Sequence, residues 1–159
     1  MSLDQYLVDG KVKAIGIRDF GDVSKLEDIT IPLLPLQGRD IRVFIKAVAL
    51  NPVDTKIRDG HFGRDIDEYR VLGYDGAGEV VEVGPEATLF KVGDKVMYAG
   101  NLIKSGTNSD LAIVDERLVG RAPSRLSFAE AAALPLTGLT AWEGLFEQLG
   151  LKAFDPANR

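Results

Sequence analysis

The stretch Leu72-Gly-Tyr-Asp-Gly-Ala-Gly-Glu-Val-Val-Glu-Val-Gly84 decides how the rest of the chain is read. Its crowded glycines suggest a phosphate-binding loop. Such a loop needs a helix opening directly from the glycines, so that a pyrophosphate meets the helix N-terminus. Here Glu79-Val-Val-Glu-Val83 follows instead and alternates at strand spacing. The Gly73, Gly76, Gly78 interval also fails the Gly-x-Gly-x-x-Gly pattern. The glycines are therefore expected to let strands bend and approach closely. No other segment offers the usual dinucleotide-binding route, so any dinucleotide domain is expected beyond Arg159.

Working outward, residues 40–49 give the clearest strand, with Ile41, Val43, Ile45 and Ala47 on one face at a period of two. Asn51-Pro52 breaks it. Residues 53–58 then read as a short helical turn closed by Gly60. Upstream, residues 11–17 and 26–31 read as strands, the second stopped by Pro32, with a Pro/Gly-punctuated connection over 32–38. Downstream, Gly84-Pro85 ends the strand 79–83, Gly93-Asp94 turns the chain, and residues 95–98 and 110–114 are further strands. Residues 61–70 read as a polar surface loop and 101–109 as a second, flexible one. Short strands at such intervals predict a mostly β fold, a closed or partly closed antiparallel barrel.

The character changes at Ala122-Pro123. Ser127-Phe-Ala-Glu130 is a capping box opening an Ala-rich helix that runs to Pro135. A second helix is expected over 138–149, where Leu139, Trp142, Leu145, Phe146 and Leu149 fall at helical spacing before Gly150. On that spacing Trp142 is expected in the core rather than against a cofactor.

The 159 residues suffice for one domain with a sizeable core. A net charge of −5, with no cluster of Lys and Arg, excludes the usual nucleic-acid surface. No apolar run approaches the ~20 residues of a membrane span, and the N-terminus lacks a secretory pattern. With no cysteine there is neither disulfide nor thiolate metal site. The expectation is a cytoplasmic chain that engages neither membrane nor nucleic acid. His61, the single histidine, sits in a polar loop and is expected to be solvated.

Asn51-Pro-Val-Asp-Thr-Lys-Ile-Arg-Asp-Gly60, the stretch 72–84, Phe90-Lys-Val-Gly-Asp-Lys-Val96 and Leu126-Ser-Phe-Ala-Glu-Ala-Ala-Ala-Leu-Pro-Leu-Thr-Gly-Leu-Thr-Ala-Trp142 occur in the order and spacing of medium-chain dehydrogenases/reductases. The chain resembles their zinc-independent, quinone-oxidoreductase-like branch, often labelled zinc-type alcohol dehydrogenase-like. That resemblance implies a GroES-like catalytic domain over residues 1–125. Residues 126–159 would be bridging helices leading to a Rossmann domain not contained in this sequence. It further implies NADPH as cofactor and a quinone or α,β-unsaturated carbonyl as small-molecule substrate, with a homodimer at full length. The 159-residue chain alone is expected to show no turnover.

In zinc-dependent relatives the metal ligands stand at the positions of Asn51 and Tyr74, with a third near Ala133. Asp75 stands where they carry a Glu. These residue types imply no catalytic zinc. By the same resemblance Asn51 lies beside the nicotinamide and contributes to both cofactor binding and catalysis. Tyr74 is placed to donate its hydroxyl to the acceptor oxygen, and Thr137 packs near the nicotinamide. Lys56 replaces an active-site tyrosine of several quinone oxidoreductases. Read from the residues alone, Asn51 before Pro52 also suits a turn, Tyr74 also suits simple packing, and Thr137 also suits a helix cap. Two other functions stay open: a non-catalytic GroES-like binding or structural module, and, disfavoured, a zinc-dependent alcohol dehydrogenase.

Overall fold

A computed structural model describes residues 3–61 and 65–153. After a 3-10 turn, strands β1 (Leu7–Val8) and β2 (Lys11–Ile17) form a hairpin. Its Asp9-Gly10 turn has both residues at positive φ (51° and 74°), matching the right-handed strand twist. Strand β3 (Glu27–Pro32) pairs antiparallel with β2, and β4 (Asp40–Val48) begins the second sheet. Helix α1 (Pro52–Arg58) and the short β5 (Arg70–Val71) precede β6 (Asp75–Val83), β7 (Lys95–Ala99), β8 (Leu111–Asp115) and β9 (Gly120–Arg121). Helices α2 (Phe128–Ala132) and α3 (Pro135–Trp142) follow, and α3 runs on as a π-helical segment over Glu143–Gln148.

The second sheet has the order β8-β4-β6-β7-β9, while β1, β3 and β5 gather on β2. Residues 108–110 join the two sheets. Asp110 N–H donates to the Lys13 carbonyl at 2.9 Å, Ile15 N–H to that of Asn108 at 2.8 Å, and Ile45 N–H to that of Asp110 at 3.0 Å. The result is the expected partly closed antiparallel barrel. One core cluster gathers Ile41, Val43, Val80, Val96 and Val114 on the second sheet, and another gathers Val12, Ile29, Ile31 and Leu111 between the sheets. Each such fully buried aliphatic side chain contributes roughly 1.5–3 kcal/mol.

Several boundaries differ from expectation. Strand β6 starts at Asp75, four residues before the alternating run, so Gly76 and Gly78 lie within the strand. A Cβ on Gly78 would collide with the Phe44 carbonyl of β4. Gly73 has φ +104° and lies against the Thr107 hydroxyl and the Asn108 backbone. Glycine is thus required for close approach and, at Gly73, for the backbone conformation. Residues 106–108, expected to be flexible, are bound in place instead. The N–H groups of Gly106, Asn108 and Thr107 donate to the carbonyls of Val71, Leu72 and Gly73. Of the expected loop 61–70, residues 62–64 lie outside the described residues, and Arg70 is already strand.

The helical region also departs from the reading. Pro135 opens α3 rather than merely closing α2, because its fixed φ suits a first helical turn that needs no N–H. Trp142, expected in the core, is 51% exposed, and Leu139 and Leu149, at the same helical spacing, are 62% and 71% exposed. Trp142 packs on Phe146, ring centroids 4.5 Å apart, along the outside of the helix. The periodicity was that of an apolar face, and no described residue covers most of it.

Candidate functional site

Three N-terminal ends converge where β4 runs out: those of α1, β6 and α3. Asn51 is the N-cap of α1, extended at φ −125°, with Pro52 at the first helical position; its backbone carbonyl accepts the Asp54 N–H at 2.9 Å. The Asn51 backbone N–H donates to Asp54 Oδ2 at 2.8 Å. The other oxygen of Asp54 accepts the Gly73 N–H at 3.1 Å, tying α1 to the approach of β6. The side chain of Asn51 turns the other way. Its Nδ2 donates to Asp75 Oδ2 at 2.8 Å and, at 3.4 Å, to the Ala49 carbonyl. Asp75 Oδ1 accepts the Leu136 N–H of α3 at 2.8 Å. One buried carboxylate thus holds the Asn51 amide and the first turn of α3 together.

Both carboxylates are buried, Asp75 at 1% and Asp54 at 7% exposure. Neither has a described salt bridge; every named partner is a neutral N–H donor. Burial raises both above the usual carboxylate range, and for Asp75 the charge of Asp54 adds to the rise. A buried acid perturbed by burial beside a second charge is a candidate for a functional site.

Of the residues proposed from the sequence, Asn51 lies at this convergence, half-buried. Tyr74 is 3% exposed and packs with Ile17, Ile57 and Leu72, so its ring is core. Burial raises its hydroxyl above 10.0, with the Arg70 guanidinium alongside opposing the rise, and the group stays a protonated donor at neutral pH. Thr137 lies on the exposed surface of α3 and lines an open apolar groove of about 590 Å³ with Met97, Ala99, Leu134, Leu139 and Trp142. It is no cap, since α3 begins at Pro135; its hydroxyl donates back to the Ala133 carbonyl at 2.8 Å. Lys56 and His61 are exposed. Sequence reasoning missed Asp54 and Asp75 as a network. The Asn51-x-x-Asp54 spacing was a legible capping signal, whereas the link from Asp75 to Leu136 spans 61 residues and had none.

No helix among the described residues is long and apolar enough to cross a membrane.

The profile of the alcohol dehydrogenase GroES-like domain matches residues 37–142. A zinc-type alcohol dehydrogenase-like protein of Staphylococcus epidermidis is 34% identical over 152 residues, 93% of this chain and 44% of its own length. A Rhizobium etli structure provisionally assigned to the zinc-dependent alcohol dehydrogenases is 48% identical, with a TM-score of 0.81 over 86% of this chain and 40% of that one. The Escherichia coli quinone oxidoreductase, solved in complex with NADPH, is 29% identical, with a TM-score of 0.76 over 88% of this chain and 42% of that one. The chain therefore spans less than half the length of these relatives, and with its partly closed barrel and matched residues it belongs to the alcohol dehydrogenase GroES-like domain family of the medium-chain dehydrogenases/reductases.

Proposed function

We propose that this chain is the substrate-side domain of an NAD(P)H-dependent oxidoreductase that reduces quinones or α,β-unsaturated carbonyls without a catalytic zinc. In domain terms, residues 1–125 form the catalytic barrel and residues 126–159 lead toward the cofactor domain. The observation that carries the reading is the Asn51–Asp75–Leu136 network, which places a polar amide, rather than a metal ligand set, beside the helix that bears Thr137. The E. coli relative, solved with NADPH, supports the choice of cofactor.

The donors here do not fit a zinc ion. Asn51 directs its amide protons, not a lone pair, at Asp75, and Tyr74 offers a protonated hydroxyl rather than a phenolate. Ala133 has no donor atom. Among the described residues no three His, Cys, Asp or Glu side chains cluster closely enough to hold a metal.

A nicotinamide fits better. The Asn51 side-chain oxygen is an acceptor suited to a primary carboxamide, and the groove lined by Thr137, Leu139 and Trp142 is an apolar wall suited to an aromatic ring. When bound, a reduced nicotinamide supplies the hydride. The chain's own residues orient it and exclude water. They also supply a donor toward the oxygen on which negative charge develops, a role we assign to the protonated Tyr74 hydroxyl.

The test is NADPH oxidation by the full-length protein that carries this chain, with a simple quinone, in the presence and absence of a chelator. Turnover insensitive to the chelator is expected, together with none from residues 1–159 alone. Turnover abolished by the chelator would restore a metal mechanism. No turnover across a broad acceptor panel would favour a non-catalytic module.

A further inference from the structure

We infer that Asp75 is a positioning residue. Its carboxylate fixes which end of the Asn51 amide faces a ligand, and locks that amide in register with α3.

The argument rests on hydrogen-bond capacity. A primary amide has two donor protons on nitrogen and two acceptor lone pairs on oxygen, and its two ends have nearly the same shape. Backbone geometry alone leaves such a side chain free to present either end. Here the ambiguity is removed. Asp75 Oδ2 lies 2.8 Å from Asn51 Nδ2, and Oδ1 already accepts the Leu136 N–H, so both carboxyl oxygens act as acceptors and the amide nitrogen faces them. The second proton of Nδ2 points to the Ala49 carbonyl. With both protons committed, Asn51 offers a ligand acceptor capacity on its oxygen and no donor.

Asp75 cannot swing away to release the amide. It is 1% exposed, its second oxygen holds the Leu136 N–H at 2.8 Å, and its own carbonyl accepts the Thr107 hydroxyl at 2.9 Å. The same carboxylate therefore sets the amide end presented at α1 and seats the first turn of α3, one residue before Thr137. A site split between two helices gains its registry from one side chain in the strand between them. That the acceptor meets the N–H2 of a nicotinamide carboxamide rests on the proposed function. The orientation does not, so the two can fail separately.

The experiment is NMR on the 159-residue chain, following the Asn51 side-chain amide protons. In the native chain they should exchange about tenfold or more slowly than those of a solvated asparagine, as a hydrogen bond to a charged acceptor implies. Asp75→Asn should abolish that protection while the Leu136 N–H stays protected, because the new amide oxygen still accepts it. The exchanged pair N51D/D75N should move the slow side-chain amide to position 75. Fast exchange of the Asn51 amide in the native chain would overturn the proposal, and that measurement needs no variant to fold. Retained protection in a folded Asp75→Asn chain would overturn it as well. NADPH turnover plays no part in this readout, so its absence would count against the proposed function alone.

Discussion

Strand β4 carries a buried carboxylate network at each end, and the two are built differently. Before its start, Glu116 is wholly buried at the head of a 3-10 turn. It accepts the N–H groups of Thr88 and Leu89 at 2.7–3.0 Å and forms an ion pair with Arg39. Burial alone would push this acid up, but those N–H groups and the guanidinium outweigh burial and hold it below its ordinary value. Beyond the other end of β4, Asp54 and Asp75 have neutral donors only, and burial wins. An acid whose charge is fully met adds to stability. One whose charge is met only in part is kept at some cost, as at functional sites. The barrel is anchored at the first end, and the second carries the proposed site.

The largest effect should follow from breaking the anchored end. Replacing Glu116 with Gln leaves Arg39 without its counter-charge and misdirects an amide N–H2 at backbone donors. Loss of one partner from a buried pair is among the costliest single changes. We expect Tm to fall by roughly 10 °C in thermal denaturation followed by circular dichroism. A fall of only a degree or two would erase the contrast between the two ends.

These two networks were unequally legible in the sequence. The barrel was read correctly from strand alternation in 40–49 and 79–83, because a period of two reports which face is buried whatever the partner. The helix cap at Ser127 was read correctly too: its hydroxyl and Glu130 bond each other over three residues, as local motifs do. What was lost lies in long-range pairing. Glu116 meets residues 77 and 28 positions upstream, and Asp75 meets Leu136 61 positions downstream. No spacing rule reaches so far. Trp142 was misassigned for a related reason. Helical periodicity identifies an apolar face but says nothing of what covers it, and here half of the indole is exposed. Asn51 was proposed from its match to a ligand position of the family, while its place before Pro52 by itself suited only a turn. Which end of its amide faces outward was set by Asp75 and invisible.

The second expected effect sharpens the comparison through function. In the full-length protein Asp75→Asn should raise the KM for NADPH about tenfold, as expected for reversing one hydrogen-bonding group, with kcat less affected. Stability of the same variant should change by less than about 1 kcal/mol, since the Leu136 N–H keeps its acceptor and an incompletely met charge is removed. Denaturant titration measures the second quantity. A loss as large as that of Glu116→Gln would make Asp75 another anchor and not a positioning residue.

The smallest effect is one of sign in pH dependence. Asp54 and Asp75 have folded-state values above the ordinary 3.8. Their neutral forms therefore favour the fold at pH below 3.8, and that contribution is lost as pH rises through the higher folded values. Glu116 has a folded value below its ordinary 4.5. Its contribution is complete above 4.5 and is lost as pH falls through the lower folded value. The two ends of β4 therefore tilt stability in opposite directions across mildly acidic pH. In melting curves recorded from pH 3 to 7, Asp75→Asn should remove a term that declines with rising pH, making the net slope more positive just above pH 3.8. Glu116→Gln should remove a term that grows with rising pH, flattening the slope below 4.5. If both variants shifted the slope in the same direction, the two networks would share one electrostatic character, and the assignment of anchor to one end and site to the other would fail.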